Sequence, residues 1–162
     1  MKYDNPRNYL LFEIGIYTGL RISDILNLKV KDVKDRRKIT VRAIKTGKQR
    51  NIAINKELLK DFKDYCETKA DGEYLITSRE GTNKPITRDM AYKIMRDIAE
   101  KFNLENIGTH SLRKTFGYHY YNKTKDIATL QSLYNHTHPS ITLRYIGITQ
   151  NMIDQATLDI QY

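Results

Sequence analysis

The sequence predicts a mainly helical domain that carries one small antiparallel β-hairpin, which is an α+β fold. In most segments apolar residues recur at helical spacing, and Asn, Thr or Asp stands where such a segment begins. Two neighbouring segments instead alternate β-forming residues with charged ones, and residues 45–48 join them as a glycine-containing turn. At 162 residues the chain is long enough to bury one core, so we predict a single domain over 1–162.

Eight helices are predicted, most of them with a capping residue at the start or a glycine or proline beside an end. They lie at residues 7–17, 23–28, 55–68, 87–102, 109–121 and 126–133, in a short segment between Pro139 and Tyr145, and in a tail at 149–162 that Thr149 caps. In the helix that Thr87 begins, Met90, Ile94, Ile98 and Phe102 repeat at helical spacing and are predicted to form the apolar face.

The predicted hairpin pairs residues 38–44 with residues 50–54, where Ile and Val alternate with polar side chains. Lys45 then lies at or near the tip of the hairpin. A short further strand is expected at residues 74–76.

The positive charge of the chain is concentrated in one segment. The whole sequence has 28 Lys and Arg against 19 Asp and Glu, a net charge of +9. Residues 29–50 hold ten Lys or Arg and two Asp, so that segment alone carries +8. A charge distribution of this kind indicates a polyanionic partner, nucleic acid first, although a solvated basic face without a ligand is the alternative.

Other compositional features exclude several classes of protein. Cys66 is the single cysteine, so no internal disulfide is possible, which fits a reducing compartment. The longest apolar stretch, around residues 9–17, is interrupted by Glu13 and is too short to span a bilayer. Apart from His136 and His138, no histidine or cysteine pair has metal-ligand spacing, and no metal site is expected.

Three motifs place reactive or strongly charged side chains at defined positions. Arg21 follows Thr-Gly-Leu at the junction of two predicted helices. His110 and Arg113 are three residues apart, so they project from one helix face. His136 precedes Tyr145 by nine residues, across a turn that contains proline.

Each of these residues also has an ordinary structural explanation. Arg21 can neutralise Asp24, Arg113 can pair with a neighbour, and a turn lysine such as Lys45 is usually solvated. Tyr145 is one of twelve tyrosines, most of which must serve packing. Their order and spacing in combination are what point to one site.

In combination, the motifs resemble those of the tyrosine recombinase (phage integrase) family over about residues 5–148. The matching stretches are Thr18-Gly19-Leu20-Arg21-Ile22-Ser23-Asp24, His110-Ser111-Leu112-Arg113, and His136 through Thr142 to Tyr145. The resemblance covers the family's catalytic domain and implies its DNA breaking-rejoining fold. The N-terminal core-binding domain, which closes a clamp around DNA in such recombinases, is expected to be absent from this chain.

Two positions depart from the family pattern. Asn135 stands where a glycine is usual, and asparagine tolerates a positive φ better than most residues. Asp24 stands where a glutamate is usual, and this shorter carboxylate is expected to support Arg21.

The resemblance implies covalent catalysis by six residues: Arg21, Lys45, His110, Arg113, His136 and Tyr145. The tyrosine attacks a DNA phosphodiester, which gives a 3′-phosphotyrosine and a free 5′-hydroxyl, and strand exchange and religation follow. The two arginines hold the non-bridging oxygens and the lysine protonates the leaving oxygen. The first histidine handles the tyrosine proton, and the second donates a hydrogen bond to the phosphate. No cofactor and no metal are implied.

The implied partner is double-stranded DNA. Its contacts are expected from basic residues in or near the hairpin: Lys29, Lys31, Arg42, Lys48 and Arg50. The resemblance further implies a homotetramer on DNA for the full-length protein, no membrane, and a cytoplasmic location in a bacterium or phage host. The tail is expected to pack either on its own domain or in trans on a neighbouring subunit.

Two other functions are kept open. The same tyrosine chemistry serves type IB topoisomerase-like relaxation of supercoiled DNA. A DNA-binding accessory protein without catalysis is the other, although a pure binder has no need for Tyr145 and His110 at these spacings.

Overall fold

The computed structural model describes most of the chain: residues 5–42, 49–105 and 107–148, with Met152 and Leu158. The predicted hairpin turn, including Lys45 and Lys48, lies outside the described residues. So does most of the predicted tail, of which only Met152 and Leu158 are described; both are helical and exposed.

The chain forms two compact units, Met1–Arg113 and Lys114–Tyr162. The first contains α1 (Pro6–Thr18), α2 (Ile22–Leu26), a 3-10 helix (Val30–Asp32), β1 (Lys38–Arg42), β2 (Gln49–Ala53), α3 (Lys56–Cys66), α4 (Arg88–Lys101) and the start of α5 (Thr109–Thr124). The second contains the rest of α5, α6 (Ile127–Tyr134) and α7 (Pro139–Tyr145). The single catalytic domain with a tail at 149–162 stays a prediction.

The helices begin and end where the capping residues predict. The Asn5 side chain accepts a hydrogen bond from the backbone N–H of Asn8 (3.1 Å) at the start of α1, and Asn55 does the same for Leu58 (2.8 Å) in α3. Gly19 ends α1 in the left-handed conformation, with φ 62°. The local rules therefore place the helices correctly, with end shifts of a few residues.

The core of the first unit is built from the apolar faces of its helices and the inner face of the hairpin. Leu11 and Ile14 of α1, Leu58 and Phe62 of α3 and Ile39 of β1 are buried in one cluster. At Gly15, a Cβ atom would lie 2.7 Å from Leu112 Cβ, so α1 and the start of α5 approach closely there.

The register of the hairpin separates two faces. Ile39 lies opposite Ile52 on the face that packs on the core, and Thr40 lies opposite Asn51 on the outer face. This confirms the predicted hairpin over its described strands.

Two predictions on secondary structure are wrong in detail. Met90 of α4 and Phe102, which follows its last residue, are exposed, because a repeat of four residues drifts about 40° per step around a helix of 3.6 residues per turn. Ala91 and Met95 take the buried positions instead. Residues 74–76 form no strand: Tyr74 makes an isolated bridge to Lys29, and Thr77, just after the segment, makes another to Pro85.

The second unit has a smaller apolar cluster. Leu130, Tyr134 and Ile146 are buried in it, and Phe116 packs against them from α5. Gly117 allows this packing, because a Cβ atom there would lie 2.7 Å from Cγ2 of Ile146. Among the described residues, no helix combines the length and the apolar character that crossing a membrane requires.

Candidate active site

The corner between α1 and α2 is held by hydrogen bonds to the backbone. The buried Thr18 hydroxyl donates to the carbonyl of Ile14 and accepts from the N–H of Leu20 (3.3 Å). Gly19, between Thr18 and Leu20, is left-handed, and together with these two hydrogen bonds it turns the chain sharply. The corner thus has a defined backbone immediately before Arg21.

Arg21 precedes the first residue of α2 and is extended, with φ −68° and ψ 148°. Its carbonyl accepts from the N–H groups of Asp24 (2.9 Å) and Ile25 (3.1 Å), and its side chain is exposed. Asp24 is half-buried in the first turn of α2. The guanidinium of Arg21 is therefore presented to the outside from a backbone that α2 fixes.

Arg113 is brought to the same corner from α5. Its side chain is only 6% exposed, and its Nη1 donates to the carbonyl of Gly19, two residues before Arg21. The close packing of Leu112 on Gly15 sets the position of α5 one residue earlier. The structure therefore places both predicted arginines at one corner of the first unit.

The start of α5 carries His110, whose side chain is exposed. Ser111 closes this helix end: its hydroxyl accepts from the N–H of Gly108 (3.1 Å), and its own N–H donates to the Gly108 carbonyl (2.9 Å). The helix begins at Thr109 as predicted. The hydroxyl that accepts a hydrogen bond from the backbone before the helix is that of Ser111.

His136 lies directly after α6, in a turn whose backbone is held on both sides. Asn135 is left-handed, with φ 57°, so asparagine does adopt the positive φ that its place in the motif requires. The N–H of His136 donates to the carbonyl of Gln131 (3.1 Å), and the Gln131 side-chain amide donates back to the carbonyl of His136 (3.1 Å).

The imidazole of His136 contacts a residue that the sequence did not single out for a role. Its Nδ1 lies 3.0 Å from the hydroxyl of Thr142, which is completely buried in α7. Thr142 lies three residues before Tyr145, so the two share a face of α7. That spacing within the third motif is the sequence signal that could have found it.

Tyr145 is half-buried near the end of α7, within a cluster of three aromatic rings. Its ring centroid lies 5.3 Å from that of His136 and 5.4 Å from that of Tyr134, both in edge-to-face geometry. The Lys114 ammonium lies 5.7 Å from the Tyr145 centroid. The second unit therefore brings the predicted nucleophile and His136 into contact.

His138, the other histidine of this loop, has a structural role. It is the N-cap of α7, and its Nδ1 accepts from the N–H of Ser140 (3.3 Å). Pro139 then occupies the first helical position, where its missing N–H is not needed.

The basic residues predicted to bind DNA differ in their surroundings. Lys31 and Arg42 are exposed. Lys29 is half-buried, with its Nζ 5.0 Å from the ring centroid of Tyr74, and Arg50 is half-buried opposite Val41 on the inner face of the hairpin. Within the described ranges, no three His, Cys, Asp or Glu side chains are grouped so that they could hold a metal ion.

Comparison with known proteins identifies the class. The model of the phage integrase family matches residues 1–152. This chain therefore belongs to the phage integrase family, as its motifs predict.

Two curated relatives carry the names of recombinases. The probable integrase/recombinase YoeC of Bacillus subtilis strain 168 is 50% identical over 91% of this chain and 81% of its own length. Tyrosine recombinase XerA of Pyrococcus furiosus is 30% identical over 94% of this chain and 54% of its own length. The chain thus spans about half the length of XerA, and the names of both relatives support a tyrosine-type site-specific recombinase.

Solved structures confirm the predicted fold. The crystal structure of XerA recombinase matches 99% of this chain and 60% of its own, with a TM-score of 0.81 and 23% identity. XerH site-specific recombinase, bound to a palindromic difH substrate in a post-cleavage complex, matches 94% of this chain and 45% of its own, with a TM-score of 0.71 and 25% identity. The α+β fold with one hairpin is that of the recombinase structures.

Proposed function

We propose that this chain is the catalytic domain of a site-specific DNA recombinase in which Tyr145 is the nucleophile. The observation that carries the proposal is the contact of the Tyr145 ring with His136, on an α7 that also carries Thr142. Family membership supports it, as does the DNA-bound state of XerH. The partner in this proposal is double-stranded DNA.

The reaction begins with attack of the Tyr145 oxygen on a phosphodiester. The bond to the 5′-oxygen breaks, and a 3′-phosphotyrosine forms. A phenol with a pKa near 10 is only about 0.1% ionised at neutral pH, so the attack needs a base and nearby cations. His110 accepts the phenolic proton in this mechanism, and Lys45 protonates the leaving oxygen.

The phosphate is held by Arg21 and Arg113. Their planar, permanently charged guanidinium groups suit the non-bridging oxygens, on which charge develops in the transition state. His136 adds a hydrogen bond from its ring. Because the Thr142 hydroxyl contacts Nδ1, the phosphate donor in this proposal is Nε2.

The phosphotyrosine bond conserves the energy of the broken phosphodiester. Attack by a different 5′-hydroxyl then rejoins the DNA and exchanges the strand. Exchange between two duplexes breaks four strands and needs four nucleophiles, which is the reason to propose a homotetramer on DNA.

Covalent trapping on nicked suicide substrates tests the proposal. Substrates tiled from the DNA that flanks the gene are incubated with wild-type protein and with Tyr145→Phe. We expect a DNA-linked protein band, attached at a 3′-phosphate, for the wild type alone. Tyr145→Phe should bind the same DNA within about twofold in a gel-shift assay, because the change removes only the nucleophilic oxygen. Clear binding without any adduct would contradict the proposal, and adduct formation with relaxation of plasmid but no joining of two sites would indicate a topoisomerase.

A further inference from the structure

An open cavity of about 620 Å³ lies on the outer face of the hairpin, and its described lining residues include none of the predicted catalytic residues. Its rim includes four cationic side chains, Lys31, Arg36, Arg37 and Lys38, all of which are exposed. In the described part of the chain, none of the four forms an ion pair. The cavity therefore combines a high positive charge with open access.

One acidic residue, Asp32, also lines this cavity. Its carboxylate accepts a hydrogen bond from the N–H of Lys29 (2.8 Å), where it caps the 3-10 helix. Among the described lining residues, four cations against one carboxylate leave a local charge of +3. Asp32 caps the 3-10 helix and offsets only one of the four positive charges.

The floor of the cavity offers hydrogen-bond donors. Thr40 and Asn51 lie opposite each other on the outer face, and the Thr40 hydroxyl donates to Asn51 Oδ1 (2.8 Å). In that bond the Asn51 side chain accepts through Oδ1, and its NH₂ group is a hydrogen-bond donor. Gln49 adds a second side-chain amide beside it. Amide donors below a cationic rim suit a ligand that consists of anionic oxygens.

The backbone presents this rim in a defined way. The N–H of Arg36 donates to the carbonyl of Val33 (3.1 Å), and the carbonyl of Arg37 accepts from the N–H of Ile54 (3.0 Å). Asp35, the residue before Arg36, adopts a left-handed conformation, with φ 57°. The three consecutive cations at positions 36 to 38 are therefore attached to a hydrogen-bonded turn at the start of β1.

We propose that this outer-face groove binds the phosphodiester backbone of duplex DNA, at phosphates other than the one that Tyr145 attacks. The inference rests on the proposed function, which supplies DNA as the partner. It assigns Arg36, Arg37 and Lys38 to DNA binding. Since Lys29 packs over Tyr74 and Arg50 lies on the inner face, the contacts from the described part of the basic segment come mainly from the outer face.

The test compares two triple variants of equal charge loss in the full chain. One is Arg36→Gln, Arg37→Gln and Lys38→Gln; the control is Lys60→Gln, Lys63→Gln and Lys93→Gln, on exposed positions of α3 and α4. Dissociation constants for a fluorescent duplex are measured by anisotropy over a range of salt concentrations. Thermal unfolding of both variants confirms that each is folded.

We expect the groove variant to bind at least about tenfold more weakly at low salt. The slope of log K against log salt should fall by about 2 to 3, since each phosphate contact contributes about 0.9. The control should change the slope by less than about 1. A groove variant that matches the control would overturn the inference.

Trapping of wild-type protein separates the two proposals. If wild type forms the covalent adduct while the groove variant binds like the control, only the groove inference fails. If wild type binds DNA through the groove and forms no adduct, the proposed function fails and the groove stands as a DNA site. Loss of DNA binding by both triple variants to the same extent would indicate a diffuse basic surface and overturn the groove assignment.

Discussion

In the unit Met1–Arg113 the corner of the two arginines depends on a buried polar contact, whereas in the unit Lys114–Tyr162 the proposed nucleophile, Tyr145, packs edge-to-face with two other rings. Arg113 is 6% exposed and donates to the Gly19 carbonyl. Tyr145 is half-buried and contacts Tyr134 and His136 in edge-to-face geometry. A hydrogen bond from a charged donor contributes about 1.5–3 kcal/mol, and an aromatic pair adds about 0.5–1.5 kcal/mol.

The difference fits the two chemical tasks that we propose for Arg113 and Tyr145. A group that stabilises developing charge works best when it is oriented before the reaction, and Arg113 has one donor already committed to the backbone. A nucleophile must move toward phosphorus and form a bond. The edge-to-face contacts with Tyr134 and His136 orient the Tyr145 ring.

The largest effect that we expect is a loss of cleavage rate when either arginine of the corner, Arg21 or Arg113, is replaced. Arg21→Lys and Arg113→Lys should each slow single-turnover cleavage on the order of 10³-fold, because an ammonium lacks the planar fork. Only Arg113→Lys should also destabilise the first unit, by about 1–3 kcal/mol, since it disturbs the donor to the buried Gly19 carbonyl.

Labelling of Cys66 measures that stability. Its thiol is completely buried, and burial raises its pKa to about 11, so it should react with disulfide reagents only when the first unit opens. Labelling would be followed in urea for both arginine variants. Equal loss of stability in the two would contradict the distinction between a buried and an exposed arginine.

Residues of α5 are closely packed in both units, and a glycine-to-alanine change can disturb the packing in each unit separately. Gly15→Ala places a Cβ against Leu112, and Gly117→Ala places one against Tyr134 and Ile146. Each should destabilise the protein by about 1–3 kcal/mol through overpacking, less about 1 kcal/mol regained from the helix propensity of alanine.

The readouts of the two glycine variants differ. Gly15→Ala should accelerate Cys66 labelling, and Gly117→Ala should shift the ring resonances of Tyr134 in NMR spectra. Gly72→Ala is the control, because a Cβ there meets no atom within 4 Å. A Gly15→Ala variant as stable as the control would show that Leu112 can move aside without cost.

A smaller effect is expected at Thr142, which we infer to position His136. Thr142→Val keeps the volume and removes the hydroxyl, so cleavage should slow about tenfold, or about 1.4 kcal/mol, with DNA binding unchanged. Thr142→Ser should restore the rate within about threefold. Nitrogen-15 NMR of the His136 ring should show Nε2–H in the wild type and lose that preference in the valine variant. A wild-type His136 ring that carries its proton on Nδ1 would contradict the inferred role of Thr142.

The smallest effect concerns the turn before His136. Asn135 has φ 57°, so Asn135→Ala should cost about 1 kcal/mol of stability, and Asn135→Gly should be neutral within about 0.5 kcal/mol. Thermal unfolding measures both variants. Equal melting temperatures for alanine and glycine would indicate that the left-handed turn is not required.

The structural features that the sequence predicted correctly depend on residues close together in the chain. Asn55 and Thr87 cap helices because their side chains reach N–H groups three residues ahead, and Gly19 and Asn135 end helices because they tolerate positive φ. Two local predictions failed. Around residues 74–76 the chain forms isolated bridges with distant segments and no strand, and the α4 stripe drifts because four residues exceed one helical turn.

The sequence by itself therefore determined the helices, the hairpin, the order of the catalytic motifs and the family. Tertiary structure alone decided which of the basic residues face outward, because one residue's shift in strand position changes the face of the sheet. It also decided that Arg113 reaches the carbonyl of Gly19 across 94 positions and that Thr142 holds His136. Contacts of this kind arise from packing between distant segments, which no local pattern of residues specifies.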